Sequence, residues 1–391
     1  MIQPHGPSFG FRSIAGSLLG QEIRLEDLEE AYAERVGCPG AVWLPSARAG
    51  ICWSLKAAMA EEARVRAPAF TCPAVHEAVV RSGASLELAD AAKTGFLMDP
   101  QWLDRQTSQP HAVVLCAIYG HVYPPMSNEG QSNLSGVFRV WDLAMSVPEL
   151  ALLHSLGERD FAVVSFSRAK CMFAGYGAIG LTRDLELIRE VRRLRDAALV
   201  RAGRSSLLTR LYEVSRPTLL AVPWINAMAK RVRSSRPKDA PVRPVATPLP
   251  SAWSDGTRFE GAVASTRLDR GLALRNLIHA DAGIRKRLDL ASRYSRNLAG
   301  ARGILLPEPS PHALSHYTIR VPGPTRTLLR QRLYDAGICT TTLWRFPTWL
   351  EPDQFPNAHR LSLEVVNLPL SVTLSLSDVD RICDLLRRFT D

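Results

Sequence analysis

The stretch Phe161-Ala-Val-Val-Ser-Phe-Ser-Arg-Ala-Lys170-Cys-Met-Phe-Ala-Gly-Tyr-Gly-Ala-Ile-Gly-Leu-Thr182 decides how the rest of this 391-residue chain can fold. It opens and closes with apolar runs, Phe161 to Val164 and Ala178 to Leu181, that have the length and β-branched character of buried strands. Lys170 lies between them, beside a glycine-punctuated turn. Because an ammonium is costly to desolvate, a lysine in apolar surroundings is paired or neutral, and a neutral lysine is a nucleophile toward carbonyl groups. Taken alone, a lysine in such a turn is more often a plain surface residue, so only the neighbouring segments can favour a chemical role for Lys170.

Length and composition indicate a globular protein. With 46% hydrophobic and 22% charged residues, the chain is long enough for one large α/β domain and a smaller one. Its first residues lack the basic and apolar regions of a secretory signal, and no apolar run is long enough to cross a bilayer. We therefore expect a cytoplasmic protein.

The cysteines and the charges argue against several classes of function. The seven cysteines are scattered and contain no Cys-x-x-Cys pair, so we expect neither a disulfide framework nor a metal site. The net charge of +10 is concentrated in residues 201–250, which hold ten Lys or Arg and two acidic residues. Because the basicity is local, we expect no nucleic-acid partner.

Short apolar runs alternate with helical patterns along the first 200 residues. Leu25–Val36 has helical spacing and is followed by Gly37, a residue type common at helix C-termini. The alternation predicts a doubly wound α/β layer, whose ligands lie beyond the carboxyl ends of the strands. Four candidate site residues share that placement, at strand ends or in the turns that follow: Ser46, Asp142, Ser165 and Lys170. Ser46 is also predicted to be the N-cap of the helix that follows the first strand.

The pattern divides the chain into four predicted parts. Residues 1–24 form an N-terminal arm, irregular over the first 20 residues, and 25–200 form the large α/β domain. The basic, proline-rich residues 201–250 interrupt the pattern as a partly helical insertion. Residues 251–391 hold linking helices and then a small α+β domain with the order strand, helix, loop, strand and terminal helix.

Ser165-Phe-Ser-Arg-Ala-Lys170, followed by Gly175-Tyr-Gly177, resembles the lysine motif of the DegT/DnrJ/StrS sugar aminotransferases, which are fold-type-I enzymes that use pyridoxal 5'-phosphate. The resemblance extends from about residue 25 to the C-terminus, apart from the insertion. Further blocks match in the family's order: Ser46-Ala-Arg-Ala, Pro68-Ala-Phe-Thr-Cys-Pro-Ala, Asp90, Tyr119-Gly120, Asp142-Leu-Ala144, Ser265-Thr-Arg-Leu-Asp-Arg-Gly, Gly337-Ile338 and Asn367-Leu-Pro-Leu370.

This resemblance implies a fold and two chemical roles. The fold is α/β, with a mostly parallel sheet sandwiched by helices and a smaller α+β C-terminal domain, in a homodimer. Lys170 would hold pyridoxal phosphate as a Schiff base and, once released by an amino substrate, would move a proton as a base. Asp142 would pair with the pyridine nitrogen and keep it protonated, although an aspartate there could also be a turn residue.

The resemblance also assigns the remaining cofactor contacts. Ser165 and the backbone amides of Ala47 and Arg48 would bind the phosphate at the start of a helix. Ala144 would pack below the ring. Cys72 occupies the position of an aromatic residue that usually stacks on the ring.

Four features depart from the family's pattern. With Cys72 in that position, ring stacking is absent or comes from a neighbour such as Phe70. Met145 replaces the usual polar residue after the Asp-x-Ala block, and Ala178 replaces a second glycine after Gly177. The segment Glu260–Ala264 lacks the asparagine that normally reaches the phosphate of the partner subunit.

By resemblance, the chain would transfer an amino group from a small-molecule donor, expected to be glutamate, to the keto group of a nucleotide-linked sugar. Two alternatives stay open: a non-sugar keto or carrier-bound acceptor of a specialised biosynthetic pathway, and a cofactor-binding relic without catalysis. The insertion 201–250 either contacts a membrane surface or an acidic partner, or serves as a lid or subunit contact.

Overall fold

The computed structural model of the chain describes residues 2–3, 6, 8–59, 62–101, 110–124, 136–147, 149, 153–220, 225, 259, 262–323 and 325–390. In chain order the helices are α1 Phe11–Leu19, α2 Leu25–Val36, α3 Ala47–Ala58, α4 Pro73–Arg81, α5 Leu185–Ala198, α6 Arg204–Leu220, α7 Arg267–Ile278, α8 Ala280–Leu298, α9 Thr325–Asp335, α10 Pro356–Glu364 and α11 Leu376–Thr390. The strands are β1 Gly40–Leu44, β2 Arg64–Pro68, β3 Ser85–Ala89, β4 Ala112–Cys116, β5 Phe138–Asp142, β6 Asp160–Ser165, β7 Ala178–Thr182, β8 Tyr317–Arg320 and β9 Val365–Leu368.

Seven strands form one sheet in the order β1-β7-β6-β5-β4-β2-β3. Neighbouring strands are parallel except at β7, which is antiparallel to both β1 and β6. Successive residues face opposite sides: Val113 and Leu115 of β4 join one apolar cluster, whereas Ala112 and Val114 join the other. The sheet is therefore buried on both faces, and the predicted mostly parallel α/β architecture is confirmed.

The direction of the strands collects the candidate residues at one edge. Both β1 and β6 are antiparallel to β7, and β5 is parallel to β6, so β1, β5 and β6 end on the same side of the sheet. Helix α3 starts there after β1, Asp142 ends β5, and the loop with Lys170 follows β6. This is the edge at which open α/β sheets hold their ligands.

Local sequence signals predicted two helix ends correctly, the C-terminus of α2 and the N-terminus of α3. Helix α2 has the predicted bounds and is followed by Gly37 at φ +61°, a left-handed conformation that glycine adopts without strain. Ser46 is the N-cap of α3, as predicted, because its hydroxyl accepts a 3.1 Å hydrogen bond from the Ala49 amide.

Helix α1 differs from the sequence prediction, which treated residues 11–19 as part of an irregular arm. The helix packs closely on α7, and a Cβ added at Gly271 of α7 would lie only 2.6 Å from the Cβ of Ser17. The absence of a side chain at Gly271 thus creates the contact that supports α1. That support lies about 250 residues away in sequence, so no local pattern indicates it.

Helix α10 occupies a segment that the sequence prediction treated as a loop. Asp90, directly after β3, accepts hydrogen bonds from the amides of Asn357 and Ala358 at 3.0 and 2.8 Å. These amides belong to the first turn of α10, where the helix itself offers no acceptor. Asp90 therefore stabilises the start of α10 and joins the large sheet to the C-terminal part of the chain.

The C-terminal part forms a smaller α+β unit. Strands β8 and β9 pair antiparallel, with Tyr317 opposite Leu368. Residues of α8, α9 and α11 enclose this pair in an apolar cluster of its own, which includes Leu290, Leu329 and Ile382. The predicted small α+β unit is found, with α10 as an additional helix.

The described part of the insertion consists of residues 201–220 and 225. Helix α6 begins at Arg204 and continues through Pro217 to Leu220. The basic, proline-rich tract predicted to lack regular structure lies outside the described residues. Among the helices that are described, none combines the length and the hydropathy needed to span a membrane.

Candidate active site

A cavity of about 270 Å³ lies at the carboxyl ends of β1, β5 and β6. All the candidate residues identified from the sequence line it: Ser46, Ala47, Arg48, Cys72, Asp142, Ala144, Ser165 and Lys170. Ser167, Ile51, Ala74 and Val75 complete the wall. The structure therefore brings together side chains that are up to about 120 residues apart in sequence.

Lys170 lies on the lysine loop, residues 166–177, which connects β6 to β7. The base of the loop is closed by a 2.9 Å hydrogen bond from the Phe166 amide to the Gly177 carbonyl. At its far end, Ala169 has φ +66°, a left-handed conformation that is uncommon for a residue with a side chain. The Lys170 Nζ lies 3.3 Å from the Sδ of Met145, and a thioether is only a weak acceptor. This contact leaves the amine free to react with a carbonyl group.

Asp142 is held in one orientation at the end of β5. Its Oδ1 accepts a 3.0 Å hydrogen bond from the Ala144 amide, and the side chain is buried. Burial raises the pKa of the Asp142 carboxyl, while the positive charge of Lys170 and the Ala144 amide act in the opposite direction. A desolvated carboxylate of this kind is stabilised by any cation that enters the cavity.

The N-terminus of α3 and two hydroxyl groups supply donors for an anion. The amides of Ala47 and Arg48 belong to the first helical turn, where they have no acceptor within the helix. The Arg48 guanidinium is directed elsewhere, to Glu77 at 2.5 Å, so the backbone of Arg48 is the part suited to the anion. Opposite them, Ser165 and Ser167 have their hydroxyl oxygens 3.2 Å apart.

Ser167 was missed by the sequence reasoning, although its hydroxyl two residues after Ser165 was a usable signal. Its amide donates to the Ser165 Oγ at 3.3 Å, which folds the two hydroxyls toward each other. The proposed aromatic substitute, Phe70, does not line the cavity. Instead, its ring packs edge-on against Tyr119 and Trp344, at centroid distances of 6.3 and 6.2 Å.

Helix α6 supports the far side of the lysine loop. The Arg210 guanidinium carbon lies 3.4 Å from the centroid of the Tyr176 ring, and the Tyr176 hydroxyl accepts a 3.0 Å hydrogen bond from the Val263 amide. A Cβ at Gly175 would lie 2.7 Å from Val214 of the same helix. The first part of the insertion is thus packed against the turn that follows Lys170.

Comparison with known proteins places the chain in a family. The family model described as the DegT/DnrJ/EryC1/StrS aminotransferase family matches residues 15–212 and 266–387. The match covers most of the chain, and its internal gap contains most of the predicted insertion. The chain therefore belongs to this family, and the prediction of an enzyme of the aminotransferase class is confirmed at the level of the family.

A curated relative and two solved structures show how far the similarity extends. The erythromycin biosynthesis sensory transduction protein EryC1 of Saccharopolyspora erythraea is 33% identical over an alignment of 123 residues, and the alignment covers 28% of this chain and 33% of that protein. The sugar aminotransferase CalS13 of Micromonospora echinospora superposes with a TM-score of 0.70 at 18% identity, over 99% of this chain and 100% of that chain. Spr1654 of Streptococcus pneumoniae, solved in a PLP-form, gives 0.71 at 18% identity over 100% and 99%. At these identities the two structures establish a shared fold, and the predicted fold-type-I architecture is confirmed.

Proposed function

We propose that the chain is a pyridoxal-phosphate-dependent aminotransferase that moves an amino group from glutamate to the keto group of a nucleotide-linked sugar. The observation that carries the proposal is the cavity itself, in which an accessible lysine amine, a buried carboxylate and the N-terminus of a helix face one another. These are the three kinds of group that the aldehyde, the pyridine nitrogen and the phosphate of this cofactor require.

The donors and acceptors of the cavity fit the cofactor. The phosphate is matched by the amides of Ala47 and Arg48 and by the hydroxyls of Ser165 and Ser167. The volume of about 270 Å³ is near the lower end of the roughly 300–1,000 Å³ usual for ligand pockets. When bound, pyridoxal phosphate supplies an electron-withdrawing ring and an aldehyde that condenses with amines.

The residues of the chain provide the acid–base chemistry around that ring. Burial raises the pKa of the Asp142 carboxyl, so a cationic partner would stabilise its ionised form. Asp142 would therefore keep the proton on the pyridine nitrogen. The Lys170 Nζ would take a proton from the substrate carbon and return it. Cys72 and Ala144, on the wall of the cavity, would limit the space on the two sides of the ring and exclude water from it.

The acceptor is proposed from the family resemblance and from CalS13, which is described as a sugar aminotransferase. Pairing into a homodimer is proposed on the resemblance alone, and light scattering of the purified protein tests it. A stable monomer of 43.1 kDa would contradict it.

Absorbance measurements on the protein reconstituted with pyridoxal phosphate test the function directly. Glutamate should bleach the visible band, and a nucleotide-linked keto sugar should restore it. Glutamine, aspartate and alanine serve as competing donors, and keto acids and carrier-bound ketones serve as competing acceptors. Restoration by a non-sugar ketone alone would replace the sugar with the alternative acceptor class. A band that no amino donor bleaches would contradict the aminotransferase activity.

A further inference from the structure

The position of Lys170 depends on support from outside its own loop. Within the lysine loop, the Ala174 amide donates to the Phe166 carbonyl at 2.9 Å, and Ser167 forms a bridge with Gly175. These contacts close the base of the loop but leave the segment directly after Lys170 without strand or helix hydrogen bonds. Because Ala169 is left-handed, the backbone at this point holds its shape only when its surroundings fix it.

Asn276 of α7 provides that support. Its Nδ2 donates to two successive carbonyls of the lysine loop, those of Met172 at 3.0 Å and Phe173 at 2.7 Å. The side chain is 5% exposed, so water does not substitute for these bonds. Both N–H groups of the Asn276 amide are therefore engaged by Met172 and Phe173, which follow Lys170 and Cys171 in the chain.

The other end of the Asn276 amide is also occupied. Its Oδ1 accepts a 2.7 Å hydrogen bond from the hydroxyl of Ser8. The next residue of the arm, Phe9, stacks on the ring of Phe173 with a centroid distance of 5.6 Å and an interplanar angle of 20°. With a donor on one side and two acceptors on the other, the orientation of the amide is fixed.

We propose that Asn276 is a positioning residue for Lys170. It would act by holding the Met172 and Phe173 carbonyls, and through them the direction in which the lysine amine enters the cavity. The amine must reach a cofactor whose phosphate is bound at the start of α3, so a displaced loop would weaken the lysine bond to the cofactor while leaving the phosphate site intact. This inference rests on the proposed function, because it requires Lys170 to bind the cofactor.

Two substitutions, each of which removes buried hydrogen bonds of α7, separate the positioning of Lys170 from general support of the helix. Asn276→Leu removes the two donors. Tyr32→Phe removes a 3.1 Å hydrogen bond from the Tyr32 hydroxyl to the Ala273 carbonyl, which lies in the same helix one turn earlier. The Tyr32 ring packs on Phe166 at the base of the lysine loop with a centroid distance of 5.7 Å, and phenylalanine retains that ring. Both variants lose buried hydrogen bonds to or from α7, so both should unfold at a lower denaturant concentration than the unsubstituted chain.

Two readouts compare the variants: the dissociation constant of pyridoxal phosphate, from an absorbance titration, and the fraction of Lys170 that borohydride reduction modifies, from peptide mass mapping. Asn276→Leu should weaken binding at least tenfold and lower the modified fraction, whereas Tyr32→Phe should stay within twofold of the unsubstituted chain in both. Values for Asn276→Leu within twofold of Tyr32→Phe would overturn the inference.

A second variant covers loss of folding. If Asn276→Leu does not fold, the nearly isosteric Asn276→Asp decides by the same comparison at pH 8, where the ionised carboxylate has no proton to donate to the two carbonyls and binding should again be at least tenfold weaker than in the unsubstituted chain. Binding by Asn276→Asp within twofold of that of Tyr32→Phe would overturn the inference. If the unsubstituted chain itself binds no pyridoxal phosphate, the proposed function fails instead, so the two failures are distinguishable.

Discussion

Asp269 makes the stability of this protein depend on pH in a way that can be calculated. It is 1% exposed, and its Oδ2 accepts hydrogen bonds from the amide and the hydroxyl of Thr266, both at 2.8 Å. Among the described residues, none offers a hydrogen bond to Oδ1, and the Arg210 Nε lies 4.0 Å from Oδ2. Burial raises the pKa of Asp269 from 3.8 to about 6, against the opposing effects of Thr266 and Arg210.

The sign of the effect follows from proton linkage. Between pH 3.8 and about 6 the folded chain binds the proton of Asp269 more tightly than the unfolded chain does, so the free energy of unfolding falls as the pH rises through this window. The full difference of about 2 pH units corresponds to about 3 kcal/mol, of which about 2 kcal/mol falls between roughly pH 4.5 and pH 7.5. An asparagine side chain at this position would not titrate, and its carbonyl could still accept from Thr266.

The Asp269→Asn variant isolates this contribution from that of every other titrating group. Urea denaturation of both proteins from pH 4.5 to pH 7.5 gives the difference in unfolding free energy at each pH. We expect that difference to move by about 2 kcal/mol in favour of Asp269→Asn as the pH rises. A difference that stays constant with pH, or moves in the opposite direction, would refute the reasoning about the buried carboxyl.

Three further substitutions test other parts of the structure. Gly175→Ala places a Cβ 2.7 Å from Val214 at φ +100°, so urea denaturation should show that the free energy of unfolding falls by about 2–4 kcal/mol. Adding Val214→Ala should recover part of that loss, and strictly additive losses in the double variant would contradict the contact. Glu29→Ala removes the carboxylate that lies 2.9 Å from the buried Arg195 guanidinium, and a loss of about 3 kcal/mol is expected in the same assay, whereas a loss below about 1 kcal/mol would refute the buried pair. Ser46→Ala removes the N-cap hydroxyl that accepts from the Ala49 amide, so urea denaturation should show a loss of about 1 kcal/mol, and an unchanged stability would contradict the cap.

The sequence was sufficient to predict the sheet and the main residues of the candidate site. Buried strands have a strong apolar signal, and in a parallel sheet the residues that follow the strands meet at one edge. Asp142 and Lys170 could therefore be placed together without knowledge of any contact. Ser46 was predicted as an N-cap from the strand and helix on its two sides, and its hydrogen bond to Ala49 agrees.

The contacts that support the site could not be predicted in this way. Asn276 and Arg210 lie on helices α7 and α6. An apolar pattern can predict that a helix forms, but it does not predict which residues of the lysine loop a side chain of that helix contacts. Helices α1 and α10 depend on Gly271 and Asp90, which are distant in sequence. The position of Phe70 could not be predicted either, because its ring packs against Tyr119 and does not line the cavity.

The most direct test of the account is the visible absorbance of the protein with pyridoxal phosphate, compared between Lys170→Ala and Lys56→Ala. Lys56 is an exposed lysine of α3, so its replacement controls for the loss of one positive charge. We predict that Lys56→Ala keeps the protein-bound band, its bleaching by an amino donor and its attachment to Lys170 after borohydride reduction, and that Lys170→Ala loses all three. An unchanged band and bleaching in Lys170→Ala would contradict the central claim that this lysine holds the cofactor.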